Sequence, residues 1–301
     1  MSPISSDLNQ IRTMNKEDYV ARSAQLALLL EVSAYPKPGN VSRTRDFEDT
    51  HYEHFLASSV AVYPVLREAA ASDDGVGELI RRGVAESMKW QAGGNTHFGA
   101  LLLLIPLAMA AGACKDLNKV EIKRKAKEIM QNTGVDDAVE LYRTFPEAKV
   151  KVSQDVPELD VMNEASITEI KEKKRSLYEI LTISASYDLI SRELVCGFDT
   201  TFSYATVLAN FAREMRINDA ITHTYLRLLS EEEDTFVKMK FGAEKSEYVQ
   251  EQARGIVKRG YEINEIEDFD GELIEQGINP GSAADIIAAA LFIAILDGLR
   301  V

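Results

Sequence analysis

The chain has 301 residues, of which 46% are apolar and 27% charged, so it can bury a substantial core and is neither disordered nor fibrous. Its 48 acidic residues outnumber the 34 Lys and Arg, and the net charge of -14 argues against binding nucleic acid or an anionic membrane through bulk charge. The two cysteines form no Cys-x-x-Cys or Cys/His arrangement, and the N-terminus lacks the apolar core of a signal peptide, which predicts a cytoplasmic protein.

Apolar residues recur at intervals of three and four along most of the chain, which predicts an all-α fold. The first helix is expected to open at Asn15 and to end at Tyr35, because Pro36 cannot continue a helix. Further helices are predicted over residues 53–72, 76–91, 97–112, 119–132, 135–143, 163–188, 200–215, 217–229, 244–259, 265–276 and 283–299.

Two stretches, residues 100–111 and 286–296, are apolar on nearly every helix face. They predict a single-domain multi-helix bundle over residues 1–301 with these two helices at its centre. The first is too short to cross a bilayer, which takes about 20 apolar residues, so no membrane partner is expected. Residues 144–163 contain two prolines and have weak periodicity, which predicts a loop or a crossover.

The first segment that could carry chemistry is YPKPGNV, residues 35–41. Its prolines restrict the backbone on both sides of Lys37, and Pro38-Gly39 suits the centre of a type II turn. The backbone amides of Gly39 and Asn40, together with Lys37, could therefore cradle an anion. The alternative is a rigid helix stop with a solvated lysine.

The second segment is GGNTHFG, residues 93–99, which leads into an apolar helix. Asn95 or Thr96 can cap that helix, and free amides at a helix start favour a phosphate. His97 could bind phosphate, transfer a proton or coordinate a metal. Alternatively the two glycines form an ordinary loop and His97 is a satisfied, partly buried side chain.

The third segment is NPGSAAD, residues 279–285, which also precedes an apolar helix. Ser282 and Asp285 have the spacing of a capping box, which would explain both residues without a ligand. A carboxylate at this position could equally be a Mg²⁺ ligand or a catalytic base.

Other polar residues stand in or beside apolar segments: Glu31, the cluster Asp46, Glu48, Asp49 and His51, and the pairs Asp188/Glu193 and Asp219/His223. The i, i+4 spacing of the last pair permits a shared metal or an ion pair, and surface ion pairs are the commoner arrangement. A Walker loop and the GxGxxG, HExxH and GxSxG motifs are absent from the sequence, which argues against the corresponding enzyme classes.

The ordered set PKPG, GNTHxGA and PGSAAD before an apolar helix resembles the triphosphoribosyl-dephospho-CoA synthase family, over roughly residues 25–111 and 176–297. Residues 188–195 and 218–223 are also similar to stretches of archaeal members. The resemblance implies an all-α enzyme that, with Mg²⁺, joins ATP to 3'-dephospho-CoA and releases adenine. The 2'-hydroxyl of dephospho-CoA would attack the anomeric carbon of ATP, while the triphosphate stays on the ribose.

This resemblance assigns roles to residues that match the family motifs. The predicted catalytic residues are Asp285, His97 and Glu31. The predicted nucleotide-binding residues are Lys37, Gly39, Asn40, Asn95, Thr96 and Ser282. The predicted Mg²⁺ ligands are Asp285, Asp46 and Asp49.

Three positions depart from the bacterial pattern: Phe98 replaces a lysine, Ser42 replaces an aspartate, and Ala283 stands within the GGSAD motif. Two alternatives therefore stay open, a hydrolase that cleaves the N-glycosidic bond of a nucleotide and a non-catalytic helical protein that binds a phosphorylated ligand. The loss of a cation at Phe98 favours the second. The abundance of apolar, Ala-rich helix makes a homodimer a reasonable assembly.

Overall fold

The computed structural model describes residues 14–148 and 163–301. Within these ranges the chain forms 16 helices and no β-strand, which confirms the all-α prediction. The first range contains α1 (Lys16–Ser33), α2 (Tyr52–Ala61), α3 (Tyr63–Ala69), α4 (Val76–Lys89), α5 (Phe98–Ala113), α6 (Lys119–Gln131) and α7 (Val135–Ala148). The second contains α8 (Glu164–Lys173), α9 (Leu177–Ser184), α10 (Leu189–Cys196), α11 (Asp199–Glu214), α12 (Ile217–Glu231), α13 (Thr235–Phe241), α14 (Ala243–Arg259), α15 (Ile263–Glu275) and α16 (Gly281–Leu296).

Helices α5 and α16 form the centre of the bundle, as their uniformly apolar sequences predict. They pack against each other, and both also contact α1. Nearly every side chain of either helix is buried, and full burial of one Leu or Ile stabilises the fold by about 1.5–3 kcal/mol. The many alanines let neighbouring backbones approach closely. These two helices therefore organise the core. They also bring the segment that precedes α5 and the segment that precedes α16 toward the same region.

Two long predicted helices are each divided in the structure. The predicted helix 53–72 is α2 and α3, because Pro64 lies in the first turn of α3 and cannot donate a hydrogen bond back to α2. The predicted helix 163–188 is α8 and α9. Lys174 ends α8 in the left-handed region at φ 50°, and Ser176 opens α9 with a capping box to Glu179.

The sequence prediction missed two short helices and misplaced one end. Helices α10 and α13 follow the N-caps Asp188 and Asp234, whose side chains accept hydrogen bonds from the first-turn amides. Helix α7 continues through residues 144–148, so the predicted loop 144–163 does not start where we expected. Residues 149–162 of that predicted loop lie outside the described residues.

Nearly all of the buried hydrophobic residues of both described ranges belong to one cluster. None of the described helices combines the length and the apolar character that a bilayer crossing requires. The two most apolar helices, α5 and α16, are buried within this chain. Dimerisation and the single domain over residues 1–301 therefore stay predictions.

Candidate active site

One cavity of about 340 Å³ lies where the starts of α5 and α16 meet the loop that follows α1. Its other walls come from α2, α7, α9, α10 and α13. The structure brings together eight of the eleven predicted site residues along its lining: Glu31, Lys37, Asn40, Asn95, Thr96, His97, Ser282 and Asp285. The three segments that the sequence singled out thus converge, because the two central helices begin side by side.

Residues 37–40 form the predicted type II turn. The amide of Asn40 donates to the carbonyl of Lys37 at 3.0 Å, and Gly39 has φ +74°. A Cβ atom on Gly39 would lie 2.5 Å from the carbonyl oxygen of Ile278, so glycine is required both for the dihedral angle and for the close approach. The turn therefore has a defined shape, and it directs Lys37 inward.

Neighbouring helices hold this turn in place. The hydroxyl of Tyr225 donates to the carbonyl of Pro38 at 2.9 Å and accepts from the side chain of Asn40 at 2.7 Å. The amide of Gly39 donates to Asp270 at 3.0 Å. Since the amides of Gly39 and Asn40 both have partners within the protein, they do not form the anion cradle that we expected.

Lys37 and Glu31 form a buried ion pair. Their side chains are 1% and 7% exposed, and the ammonium group of Lys37 also donates to the backbone carbonyl of Glu31 at 2.9 Å. Burial raises the pKa of Glu31, and the positive charge of Lys37 opposes that rise. Lys37 is therefore not the solvated lysine of the alternative reading, and most of its charge is compensated within the protein.

The segment before α5 supplies three lining residues with different tasks. The side chain of Asn95 accepts from the amide of Phe98 at 2.9 Å, which satisfies a free amide at the start of α5. The hydroxyl of Thr96 lies 3.2 Å from that of Ser87. Asn95 is thus a cap for α5. The contact between Thr96 and Ser87 contributes to the order of the segment.

His97 is 3% exposed, and its side chain has one hydrogen-bond partner among the described residues, the hydroxyl of Ser58, 2.7 Å from Nδ1. Its Nε2 atom is buried and has no partner in the described part of the chain. Burial, together with the nearby charge of Lys37, lowers the pKa of His97 to about 3. His97 is therefore a neutral imidazole at physiological pH, with an unused nitrogen beside the cavity.

Asp285 lies in the second turn of α16 and approaches the start of α5. A Cβ atom on Gly99 would be 2.0 Å from its Oδ2, so the carboxyl group occupies space that only glycine leaves free. The amide of Ala100 donates to Asp285, but burial and the negative charges of Glu31 and Asp234 raise its pKa well above the ordinary value.

Of the two alternatives for Ser282 and Asp285, the structure does not have the capping box. Helix α16 begins at Gly281 after Pro280, with no side-chain cap, and the hydroxyl of Ser282 lies 3.4 Å from that of Thr235. The buried carboxylate of Asp234 instead accepts from the amide of Ala283 at 2.8 Å. Asp285 is therefore free to face the cavity.

The three remaining predicted site residues do not line the cavity. Gly39 shapes the turn described above, Asp46 accepts from the amide of Tyr52 at 2.7 Å, and Asp49 accepts from the hydroxyl of Thr50 at 3.1 Å. Among residues 14–148 and 163–301 no group of three or more His, Cys, Asp and Glu side chains is arranged to hold a metal. The structure thus does not join Asp46 and Asp49 to Asp285.

The other polar residues that the sequence singled out in pairs lie in different places. Asp188 lines the cavity and caps α10, whereas the buried Glu193 accepts hydrogen bonds from the amides of Thr200 and Thr201. His223 stacks on the ring of Tyr261 with centroids 4.1 Å apart, outside the cavity. Sequence reasoning missed Ser58, Ser87 and Asp234, which lie on segments without a recognised motif. No local signal identifies their roles at the site, because Ser58 meets Ser87 and His97, and Asp234 meets Ala283, only across distant parts of the chain.

The lining of the cavity is mostly apolar. Phe98 packs edge-on against Phe145 with ring centroids 5.1 Å apart, and the further apolar lining includes Leu102, Leu141, Ile180, Leu181 and Met239. Lys37 is the only cationic side chain of the described lining, and Glu31 already neutralises it. This interior is suited to an uncharged part of a ligand rather than to a bare triphosphate.

Comparisons with known proteins identify the family of this chain. The family model for ATP:dephospho-CoA triphosphoribosyl transferase, CitG, matches residues 17–301. The chain is 24% identical over 309 residues to the 2-(5''-triphosphoribosyl)-3'-dephosphocoenzyme-A synthase of Klebsiella pneumoniae, covering 95% of this chain and 93% of the relative. A protein of Malonomonas rubra assigned the same activity is 25% identical over 292 residues, covering 89% of this chain and 84% of the relative.

A solved structure shows the same fold. The crystal structure of a proposed triphosphoribosyl-dephospho-CoA synthase from Archaeoglobus fulgidus aligns with a TM-score of 0.68 and 30% sequence identity. The alignment covers 81% of this chain and 100% of that chain. With a family model that matches almost the whole sequence, this chain belongs to the CitG family of ATP:dephospho-CoA triphosphoribosyl transferases.

Proposed function

We propose that this chain transfers the triphosphoribosyl group of ATP to the 2'-hydroxyl of 3'-dephospho-CoA and releases adenine, the reaction for which its family is named. The observation that carries this proposal is the carboxyl group of Asp285, held in the cavity with a raised pKa. Neutral His97 and the ion pair of Lys37 with Glu31 line the same cavity.

The reaction needs a group that accepts a proton. The hydroxyl oxygen forms a bond to the anomeric carbon, and the carbon–nitrogen bond breaks with its electron pair moving to adenine. The hydroxyl proton passes to ionised Asp285 and is released to solvent after the transfer, while the departing adenine takes up one proton from solvent, so that protons balance over the turnover. A carboxylate whose pKa burial raises is a stronger base than an exposed one, and its negative charge also stabilises the oxocarbenium character of the reacting ribose.

The charges of the cavity indicate which part of the substrate enters it. A triphosphate carries several negative charges, whereas the described lining offers one lysine that is already paired, together with Glu31, Asp188 and Asp285. We therefore assign the interior to the ribose and the uncharged parts of the substrates, with the triphosphate toward the opening. Lys37 then orients Glu31 and does not bind phosphate directly.

The proposed reaction also includes Mg²⁺, bound together with the substrate phosphates. This ion is commonly bound by one or two carboxylates together with substrate phosphates and water. Asp285 is the only one of the three predicted ligands that lines the cavity, which fits an ion carried by the phosphates better than one held in a protein cage. When bound, Mg²⁺ would neutralise part of the phosphate charge, which a protein of net charge -14 would otherwise repel.

Mass spectrometry of the purified protein with ATP, Mg²⁺ and dephospho-CoA tests the proposal, with each component omitted in turn. We expect a product equal to the sum of the two substrates minus adenine, formed only when all three components are present. Adenine without that adduct would identify the hydrolase alternative instead. Binding without either product would identify the non-catalytic alternative.

We also place the protein in the cytoplasm. Both cysteines are free, with Cys114 buried and Cys196 exposed, as expected where thiols remain reduced. Cell fractionation with an antibody to the chain tests this placement, and recovery in a membrane or secreted fraction would contradict it.

A further inference from the structure

A buried carboxylate joins the start of α13 to the start of α16. Asp234 is 3% exposed, and its Oδ1 accepts hydrogen bonds from the amides of Phe236 and Val237, both at 3.0 Å. Its Oδ2 accepts from the amide of Ala283, in the first turn of α16, at 2.8 Å. Asp234 and Ala283 are 49 residues apart, so this contact forms only in the folded chain.

Other elements hold Asp234 itself in place. Its backbone carbonyl accepts from the hydroxyl of Ser246 in α14 at 3.1 Å. The hydroxyl of the next residue, Thr235, accepts from the amide of Leu189 at the start of α10 at 3.0 Å. Residues 234 and 235 are therefore anchored to α10 and α14, and the carboxylate of Asp234 is a fixed point against which α16 can be placed.

Helix α16 lacks a cap of its own. It begins at Gly281 after Pro280, and no side chain of the preceding segment caps it. The first amides of a helix have no partner within the helix, and Ala283 carries one of them. Asp234 supplies that partner from a distant part of the chain, and a hydrogen bond to a charged acceptor is stronger than one between neutral groups.

The position of Asp285 depends on how this first turn is held. Asp285 follows Ala283 by two residues in the same helix, so a shift or rotation of the turn moves its carboxyl group as well. That group fits closely against the start of α5, where a Cβ atom on Gly99 would lie 2.0 Å from Oδ2 and the amide of Ala100 donates to it. A small displacement would therefore break this fit.

We propose that Asp234 is a positioning residue, which holds the first turn of α16 so that the carboxyl group of Asp285 faces the reacting atoms. Asp234 acts through the amide of Ala283 and does not line the cavity itself. Its effect on catalysis rests on the proposed function, in which Asp285 is the base. The placement of Asp285 is a property of the folded chain and can be measured without substrate.

Nuclear magnetic resonance with ¹³C in the carbonyl carbons of Ser and Gly and ¹⁵N in Ala tests the placement. This labelling selects alanines that follow a serine or a glycine. Four alanines of the chain follow a serine and three follow a glycine: Ala24, Ala34, Ala185 and Ala283, then Ala100, Ala113 and Ala243. The Ala283 signal reports on the contact with Asp234, and the Ala100 signal reports on the contact with Asp285. Ala283→Gly and Ala100→Gly identify the two signals.

Asp234→Asn removes the contact with Ala283 selectively. The single oxygen of Asn can still accept from the two amides at the start of α13, whereas its NH₂ group cannot accept from Ala283. We expect the amide proton signals of Ala283 and Ala100 to move upfield, because both hydrogen bonds to carboxylates weaken, and the other five signals to stay in place. An unchanged Ala100 signal in folded Asp234→Asn would overturn the proposal.

Asp137→Asn is a matched control. Asp137 also joins two helix starts, since its carboxylate accepts from the amide of Gly134 at 2.8 Å and from that of Gly77 in α4 at 2.9 Å. It does not line the cavity. This variant should leave the Ala283 and Ala100 signals in place, and an equal displacement in both variants would show a general loosening instead of a positioning role.

Turnover measures the consequence for the reaction. We expect Asp234→Asn to lower kcat about tenfold with KM for both substrates changed less than about twofold, and Asp137→Asn to keep kcat within about twofold of the parent. Removing the negative charge of Asp234 favours the ionised form of Asp285, so the loss would not come from a smaller ionised fraction. An unchanged kcat in Asp234→Asn would refute the positioning role.

Asp234→Ser repeats the test if Asp234→Asn does not fold. The serine hydroxyl can cap α13 but leaves no second oxygen for Ala283. In the parent protein the amide of Ala283 should be protected from exchange with solvent, like that of Ala24 inside α1, and rapid exchange would overturn the contact on which the proposal stands. Lack of transferase activity in the parent overturns the proposed function alone, since the signals are measured without substrate.

Discussion

Lys37→Met tests how strongly the buried ion pair supports this fold. Methionine has a similar length but no charge, so the carboxylate of Glu31 would remain buried without its cation. Removing one partner of a buried pair costs about 3–5 kcal/mol in free energy of unfolding. The lost hydrogen bond to the backbone carbonyl of Glu31 accounts for about 1 kcal/mol of this.

The double variant Lys37→Met/Glu31→Gln measures the interaction between the two side chains separately from the contacts that each makes with its surroundings. Glu31→Gln alone leaves the ammonium group of Lys37 without its carboxylate, at a similar cost. Combined with Lys37→Met, it leaves no buried charge at either position, so we expect the double variant to be at least about 2 kcal/mol more stable than the sum of the single losses predicts. Simple additivity would show that the two groups do not interact.

The stability cost of Lys37→Met depends on pH, and the direction of that dependence follows from the pKa of Glu31. Burial already raises its pKa in the folded protein, and removal of Lys37 raises it further. A carboxyl group with a raised folded-state pKa contributes stability below its unfolded pKa and loses it as pH rises through the folded pKa. The cost of Lys37→Met should therefore be smaller at pH 5 than at pH 8, by up to about 1.4 kcal/mol per pH unit.

Urea unfolding followed by circular dichroism between pH 5 and pH 8 measures these differences. Lys173→Met is a matched control, because Lys173 pairs with Glu169 at the surface with side chains 57% and 39% exposed. That control should cost less than about 0.5 kcal/mol at any pH. A Lys37→Met cost below about 1 kcal/mol at pH 7, or one that does not change with pH, would refute the reasoning.

Three further substitutions test the site. Gly99→Ala places a Cβ atom 2.0 Å from Asp285 Oδ2, so product formation should fall at least about 100-fold, while Gly271→Ala, with open space around it, should stay within about twofold of the parent. Asp285→Asn should abolish turnover yet raise the free energy of unfolding at pH 8 relative to pH 5, because the raised pKa of Asp285 means that its ionisation destabilises the fold. Equal pH slopes of the two proteins in urea unfolding would contradict that pKa. Phe98→Lys should lower stability by about 3–5 kcal/mol, since Phe98 is 7% exposed and packs on Phe145. An unchanged Tm would show that a lysine is tolerated there.

The fold class was predictable because it depends on local periodicity. The uniformly apolar stretches indicated which helices are central, and both α5 and α16 are buried on nearly every face. Boundaries were predictable where a strong local signal exists, such as the end of α1 just before Pro36. Short helices such as α10 and α13 were missed because each contains only about two turns, too few for a periodic pattern.

Tertiary contacts decided the state of each site residue. Sequence alone left Asp285 either a cap or a reactive carboxylate, and the structure shows that Asp234 takes the amide of Ala283. Sequence also left Lys37 either solvated or functional, and only packing shows that it is buried against Glu31. These outcomes depend on residues far apart in the chain, which no local spacing encodes.

By itself the sequence determined the all-α class, the two central helices and the three segments that line the cavity, since periodicity, proline and glycine act within a few residues. Only the tertiary structure decided which groups are charged and which hydrogen bonds they make. Burial and neighbouring charges control the pKa of a side chain, and both arise when distant helices pack together. The contact between His97 and Ser58 is the clearest example, because the two residues meet only after α2 has packed beside the segment that precedes α5.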